Sequence, residues 1–189
     1  GTIETVTFAD GTAWDAAELL RRSTSGTPGN DAYTGTDSGD QLVGLGGNDT
    51  LSALGGSDSL DGGADADSLD GGAGADDLRG GTGNDMLVGG AGADTYVFVA
   101  GDGLDTISDL GDAAVDTLRI EGVGPEALRF SRTGPDGADL TIRFSGSTDR
   151  IILSGDLAAG EAGRIEQFVI SASGTTLTLA EVQALVQPD

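Results

Sequence analysis

The chain has 189 residues, with 32 acidic residues against nine basic ones and a net charge of −23. Every basic residue is Arg, and Lys, His and Cys are absent. Such a chain has no positive footprint for nucleic acid or an anionic membrane surface, and it can build no Ser–His or Cys–His nucleophile, no zinc site of the usual kind and no disulfide. What composition leaves open is a binder of hard cations through oxygen ligands.

Leu, Ile, Val and Phe total 43 residues and Gly contributes 34. A Gly-rich, acidic chain of this kind does not easily offset its folding entropy by apolar burial alone. No apolar run approaches the roughly 18 residues of a membrane span, and no N-terminal signal peptide is visible.

Residues 1–25 read as strand, turn, strand and the opening of a helix. The stretch TIETVTFADGTAWDAAELL parallels RIEQFVISASGTTLTLAEVQAL near the C-terminus. Ile3 and Glu4 match Ile165 and Glu166, Val6 and Phe8 match Phe168 and Ile170, and Trp14 matches Leu177. Gly11-Thr12 matches Gly174-Thr175 after one extra residue, and Asp15-x-x-Glu18 matches Thr178-x-x-Glu181. The segment is read as the end of a preceding copy of the same module, or an N-terminal cap, and the chain as a piece of a tandem array.

From Gly26 to Val97 the chain divides into eight blocks of nine residues without insertion: GTPGNDAYT, GTDSGDQLV, GLGGNDTLS, ALGGSDSLD, GGADADSLD, GGAGADDLR, GGTGNDMLV and GGAGADTYV. The sixth position is always Asp: Asp31, Asp40, Asp49, Asp58, Asp67, Asp76, Asp85 and Asp94. The eighth is always Leu or Tyr: Tyr33, Leu42, Leu51, Leu60, Leu69, Leu78, Leu87 and Tyr96. This is the Gly-Gly-x-Gly-x-Asp-x-U-x pattern of a calcium-binding β-helix. Gly permits left-handed turn angles and a close approach of carbonyls to an ion. The triplet around the eighth position forms a short strand whose middle side chain points inward. Two nonapeptides make one coil, so Asp31, Asp49, Asp67 and Asp85 line one edge, and Asp40, Asp58, Asp76 and Asp94 the other.

Adjacent coils lie about 4.8 Å apart, the strand spacing of a sheet. Two carboxylates at that separation repel by roughly 3.5 kcal/mol at an effective dielectric of 20. Residues 26–97 carry 13 Asp and one Arg, and only 11 of these 72 residues are Leu, Ile, Val or Phe. Alone the block should be disordered. A divalent cation between successive same-edge Asp residues turns repulsion into coordination, and eight Asp in two columns leave six gaps, hence about six Ca²⁺ with more possible at the ends. Carboxylate and carbonyl oxygens in a flexible array suit Ca²⁺ better than Mg²⁺, which demands a tight octahedron. Transition metals prefer imidazole or thiolate, which the chain lacks.

On blocks such as GGAGADDLR and GGTGNDMLV, and on the exit GGAGADTYVFVAGDGLDTISD, the chain resembles the repeats-in-toxin family of haemolysin-type calcium-binding repeats. The resemblance implies an all-β fold: a parallel β-roll with Ca²⁺ between successive loops. It implies metal sites that pair Asp58 with Asp76, Asp67 with Asp85, and Asp76 with Asp94, together with loop carbonyls. Those carbonyls come from Gly62, Gly63, Ala64 and Asp65; from Gly71, Gly72, Ala73 and Gly74; from Gly80, Gly81, Thr82 and Gly83; and from Gly89, Gly90, Ala91 and Gly92. The earlier loops offer Gly44, Gly46, Gly47, Gly55 and Gly56. The early blocks depart from the pattern, with Thr27, Thr36, Leu45 and Leu54 at the second position and Ser38 and Asp65 at the fourth. Asp102 and Asp105 fall in a degenerate ninth block, shifted by two residues, which closes either a last site or a turn. Asp109 lies outside the register and is expected to matter less.

Residues 110–189 carry DTLRIEGV, ALRFSR, ADLTIRFSG, DRIILSG, RIEQFVIS and TTLTL, which read as short antiparallel strands divided by Gly122, Gly124-Pro125, Gly134-Pro135 and Gly137. Thr178-x-x-Glu181 is a capping box opening a short helix to about Val186. This half resembles the haemolysin-type calcium-binding-protein-related domain and is expected to cap the open end of the roll. The division is thus 1–25, 26–109 and 110–189.

These readings predict a non-enzymatic calcium-binding module of a larger secreted or cell-surface bacterial protein. Its repeats repel in a calcium-poor cytosol and fold outside on binding Ca²⁺. The resemblance implies export by type I secretion machinery, with neighbouring modules of the parent chain as further partners. Two other readings remain open: a calcium-rigidified spacer of a tandem-repeat adhesin or surface-layer protein, and the export and stability domain of a secreted protease or lipase. An ice-binding ladder is disfavoured, because only Thr82-Gly83-Asn84 places an outward Thr and Asn together.

Overall fold

The computed structural model describes residues 5–7, 13–15, 25–109, 114–134, 137–154 and 165–186. In the repeats, an apolar eighth position flanked by residues that tolerate solvent produces strands that alternate between two facing sheets. One face receives β4 (Gln41–Gly46), β6 (Ser59–Ala64), β8 (Asp77–Thr82) and β10 (Thr95–Val99); the other receives β3 (Ala32–Thr34), β5 (Thr50–Ser52), β7 (Ser68–Ala73), β9 (Met86–Ala91) and β11 (Leu104–Ile107). Neighbours on each face run parallel. The result is a parallel β-roll.

Several repeat strands reach six residues rather than the expected triplet. The ladder continues through the glycines, pairing Gly63 with Gly81 and Gly72 with Gly90. Register stacks the eighth positions directly. Leu42, Leu60, Leu78 and Tyr96 align on one face, and Tyr33, Leu51, Leu69 and Leu87 on the other. All except Tyr33 are essentially buried. Full burial of a Leu side chain contributes about 1.5–3 kcal/mol, so the core is real but thin.

The roll does not end with the repeats. β12 (Asp116–Glu121) pairs parallel with β10, and β16 (Ile165–Ile170) pairs parallel with β12. β15 (Arg150–Leu153) pairs parallel with β11. These three strands had read as antiparallel, because apolar alternation does not distinguish the two pairings. Within these two sheets, among the described residues, antiparallel pairing is confined to the ends beyond β15 and β16. β13 (Leu128–Thr133) and β14 (Asp139–Phe144) close one sheet beyond β15, and β17 (Thr175–Thr178) closes the other beyond β16. Phe98 and Phe144 stack with ring centroids 4.9 Å apart, joining the last coils to this cap.

Helix α1 (Leu179–Leu185) opens as expected. Thr178 N–H donates to Glu181 Oε2 at 2.8 Å and Glu181 N–H to Thr178 Oγ1 at 3.3 Å, a complete capping box. Near the N-terminus, β1 (Thr5–Thr7) and β2 (Ala13–Asp15) form an antiparallel pair whose backbone register places position 6 opposite position 14. Their sequence counterparts Phe168 and Leu177 face each other in β16 and β17. The matches at Ile3, Glu4, Phe8, Gly11, Thr12 and Glu18 lie outside the described residues.

Candidate metal-binding site

The two columns of Asp are set by the coil period. In one, the N–H of Asp31 donates to Asp49 Oδ1, Asp49 to Asp67 and Asp67 to Asp85, at 2.7–2.9 Å. In the other, Asp40 donates to Asp58, Asp58 to Asp76 and Asp76 to Asp94, at 2.6–2.9 Å. The expected partners Asp58 with Asp76, Asp67 with Asp85, and Asp76 with Asp94 are therefore same-edge neighbours, joined backbone to side chain.

Oδ1 is thus accounted for. Oδ2 of Asp49, Asp58, Asp67, Asp76 and Asp85 is buried and accepts no hydrogen bond. A buried polar atom with no partner is costly, and five repeats of it point to a shared ligand. The donor chemistry fits a hard cation, since these are carboxylate oxygens beside loop carbonyls, with no nitrogen or sulfur ligand.

The loops are shaped around these oxygens. Gly44, Gly62, Gly71, Gly80 and Gly89, at the first position, are buried. A Cβ on any of them would strike Oδ2 of its own loop's Asp. The second position is left-handed from the third block to the eighth, with φ of 73–110° at Leu45, Leu54, Gly63, Gly72, Gly81 and Gly90. The fourth position is likewise left-handed at Gly47, Gly56, Asp65, Gly74, Gly83 and Gly92, with φ of 75–154°. At the third position, the carbonyls of Ala73 and Ala91 accept from Gly56 and Gly74 N–H at 2.8 and 2.7 Å. Their counterparts Gly46, Gly55, Ala64 and Thr82 sit at the same turn in the other loops.

The first two loops differ. The N–H and Oγ1 of Thr27 both donate to Asp31 Oδ2, at 2.7 and 2.9 Å, and those of Thr36 to Asp40 Oδ2, at 2.6 and 2.9 Å. Thr at the second position thus satisfies internally the oxygen that the later loops leave open. Leu45 and Leu54 instead accept the glycine conformation at a steric cost. They are half exposed, so little burial is at stake. Leu45→Gly and Leu54→Gly should each stabilise the calcium-loaded protein by about 0.5–1 kcal/mol, read as a higher urea midpoint; an unchanged or lower midpoint would show that the strain is not there.

Both columns run past the repeats. Asp85 N–H donates to Asp105 Oδ1 at 3.1 Å and Asp94 N–H to Asp116 Oδ1 at 2.8 Å. Asp116 N–H donates in turn to Glu166 Oε2 at 2.8 Å. Asp105 therefore continues a column, whereas Asp102 closes a turn by accepting from Val99 N–H at 2.7 Å. Asp116 and Glu166 were missed. The signal was present, since Asp116-Thr117-Leu118 copies Asp49-Thr50-Leu51, but the step lengthens from 18 residues to 20 and 22. Asp109, expected to lie apart, is buried, and one of its carboxylate oxygens lies within 4.8 Å of ones from Asp94 and Asp116.

Burial dominates the acid–base character. It pushes Asp67 up to about 6, against the lowering effect of the hydrogen bond from Asp49, with Asp85 and Asp49 on either side adding repulsion. It pushes Asp105 up to about 7 and, reinforced by contact with Asp109, Asp116 up to about 8. Asp76 and Asp85 are raised for the same first reason. Without a cation, burial shifts each of these carboxyls toward its protonated form.

The RTX calcium-binding nonapeptide repeat profile matches four times, at residues 25–60, 34–69, 61–96 and 70–107. No curated protein matches the chain. Among solved structures, the chain is similar to the solution structure of the AlgE6R3 subunit from the Azotobacter vinelandii mannuronan C5-epimerase. Identity is 25%, over 79% of this chain and 86% of that one, with a TM-score of 0.42.

Proposed function

Through residues 25–107 the chain belongs to the RTX calcium-binding repeat family, and on that footing we propose that it is a calcium-binding module of a larger secreted protein whose roll folds when Ca²⁺ binds outside the cell. The observation that carries this reading is the set of buried Oδ2 atoms of Asp49, Asp58, Asp67, Asp76 and Asp85, which accept no hydrogen bond. The ions lie between successive same-edge loops, held by these carboxylates and by the loop carbonyls. Ca²⁺ supplies charge neutralisation and oxygen coordination there, and the chain supplies spacing, burial and a backbone shaped by glycine. Binding free energy is then folding free energy. The module is not an enzyme; its regular carboxylates serve the repeat. Export in an unfolded state through a type I secretion channel is part of the proposal, because a chain that folds only outside does not slip back.

A second reading, a calcium-stiffened spacer built of repeated modules, is favoured by one observation: the backbone register pairs position 6 with position 14 as it pairs Phe168 with Leu177.

The test is far-UV circular dichroism during a calcium titration at neutral pH, with magnesium as control. A cooperative change from coil to β signal is expected with Ca²⁺, at the roughly 10⁻⁴–10⁻³ M typical of extracellular modules, and none with Mg²⁺. A chain already fully β in chelator and indifferent to Ca²⁺ would sink the proposal.

A further inference from the structure

We propose that Arg129, Arg143 and Arg150, in one row across the outer face of β13, β14 and β15, bind the acidic groups of a linear carboxylated or sulfated polysaccharide. This goes beyond the calcium reading, since it puts a second ligand on the C-terminal strands, outside the matched repeats.

The row is set by register. Arg129 stands opposite Arg143, Arg143 opposite Arg150, and Arg150 opposite Leu104 of β11. Directly opposed residues share one side of a sheet, with Cβ atoms about 4.5–5.5 Å apart. The alternate positions Leu128, Phe130, Ile142, Phe144 and Ile151 are buried in the core, so the three Arg take the opposite side. Arg129 and Arg143 are exposed and Arg150 is half-buried.

Like charges placed directly opposite one another destabilise a sheet. In a chain with 32 acidic residues against nine Arg, a carboxylate neighbour is the ordinary remedy. Arg119 pairs with Glu121 at 3.3 Å, and Arg79 stands opposite Asp61. The row has no such remedy, since none of its three Arg forms an ion pair among the described residues. Arg129 donates only to the carbonyls of Glu126 and Leu128, both at 2.8 Å, and the buried Arg150 Nε donates to nothing. Beside Arg143 and Arg150 lies a cavity of ≈ 350 Å³, lined also by Leu104, Ser147, Thr148 and Asp149. Ser147 Oγ accepts from Asp149 N–H at 3.1 Å, which leaves its O–H to donate outward. Asp149 is itself engaged, with Oδ2 accepting from Gly101 N–H at 2.8 Å.

A guanidinium presents a fork of donors that fits two oxygens of one oxyanion. Three of them at strand spacing suit a ligand whose acidic groups recur along a line, and the hydroxyls of Ser147 and Thr148 suit the hydroxyls of a sugar. The face carries no aromatic side chain, because Phe130 and Phe144 are buried on the other side. Single-stranded nucleic acid is held by stacking on aromatics, and protein partners by aromatic anchors, so both fit this row less well. The net charge of −23 opposes any polyanion at a distance. At physiological ionic strength, however, charges more than about 8 Å away are largely screened, and contact is decided by the row itself.

The experiment is fluorescence anisotropy with labelled polygalacturonate and labelled dextran sulfate on the calcium-saturated full chain, with neutral dextran and single-stranded DNA as controls. At least one of the acidic polysaccharides is expected to bind, and neutral dextran is not. The double variant Arg143→Gln/Arg150→Gln should weaken binding by about tenfold or more, while Arg79→Gln/Arg119→Gln, which removes the same charge from the other sheet, should leave it unchanged. Circular dichroism checks that each variant keeps the parent's β signal. Arg143→Gln alone, at an exposed position, carries the comparison if the double variant fails to fold. Failure of the parent to bind either acidic polysaccharide overturns the proposal. So does equal weakening by the two double variants, which would assign binding to general charge. Binding that depends on Ca²⁺ but not on Arg143 and Arg150 overturns it too, as does tighter binding of DNA at the row.

Discussion

Asp76→Asn should raise the calcium concentration at the folding midpoint by about tenfold or more, equivalent to 1.4 kcal/mol, while leaving the metal-free chain no less stable than the parent. The two halves of that result follow from the two oxygens of Asp76. Oδ1 accepts from Asp58 N–H at 2.8 Å, and Asn preserves an acceptor there. Oδ2 is buried with no hydrogen bond, and Asn replaces it with an uncharged NH₂. Without metal, the change removes a buried charge that burial already holds toward its neutral form, so nothing favourable is lost. With metal, the change removes a ligand from a site that two loops share. Asp76→Ala separates the roles further, because it also strips the acceptor from a buried N–H, a loss of about 1–3 kcal/mol, and should raise the calcium midpoint beyond that of Asp76→Asn. Asp37→Asn removes the same formal charge from an exposed loop position and should leave the midpoint nearly where it was. The readout is the calcium midpoint by circular dichroism. Equal shifts from Asp76→Asn and Asp37→Asn would mean that general charge, not coordination, governs folding.

How far the structure was legible in the sequence depended on whether spacing or pairing carried the information. The eighth-position residues announced the core because their period never slips between Tyr33 and Tyr96, and register does place Leu42, Leu60, Leu78 and Tyr96 in one stack. The Asp columns were legible for the same reason. Past Val97 the same geometry persists but the chain takes 20 and 22 residues per coil, so Asp105 became ambiguous and Asp116 was not seen as a column member. β12 and β16 read as antiparallel because alternation encodes which side chains face inward and is silent on strand direction. Thr27 and Thr36 had looked like mere departures from a glycine pattern. Their chemistry is more specific: a Thr at that position donates twice to its own Asp, so those loops complete themselves. Asp109 was discounted because it sits outside the register, and only the fold brings it to Asp94 and Asp116.

In calcium-free buffer the fold should strengthen as pH falls from 8 to 5, the reverse of ordinary acid denaturation. The direction follows from the raised carboxyls. Asp67, Asp105 and Asp116 stand at about 6, 7 and 8 when folded, against an ordinary value of 3.8. A group held above its unfolded value binds more protons in the folded state, so its contribution is fully present below the unfolded value and is lost as pH rises through the folded one. At pH 5 folding takes up about three protons from these groups, falling to about half a proton at pH 8. The net charge of −23 pushes the same way, since self-repulsion grows as carboxyls ionise. Protons and Ca²⁺ are thus alternative means of relieving the same buried repulsion. In chelator the far-UV β signal should be largest at pH 5, smaller at pH 6.5 and smallest at pH 8, whereas the urea midpoint of the calcium-saturated chain should vary little between pH 6.5 and 8. Ca²⁺ must also displace protons as it binds, so the calcium midpoint should rise as pH falls from 8 to 5, with protons released into weakly buffered solution. A metal-free β signal that climbs with pH would mean that these carboxylates are solvated in the folded chain and that no buried repulsion awaits a cation.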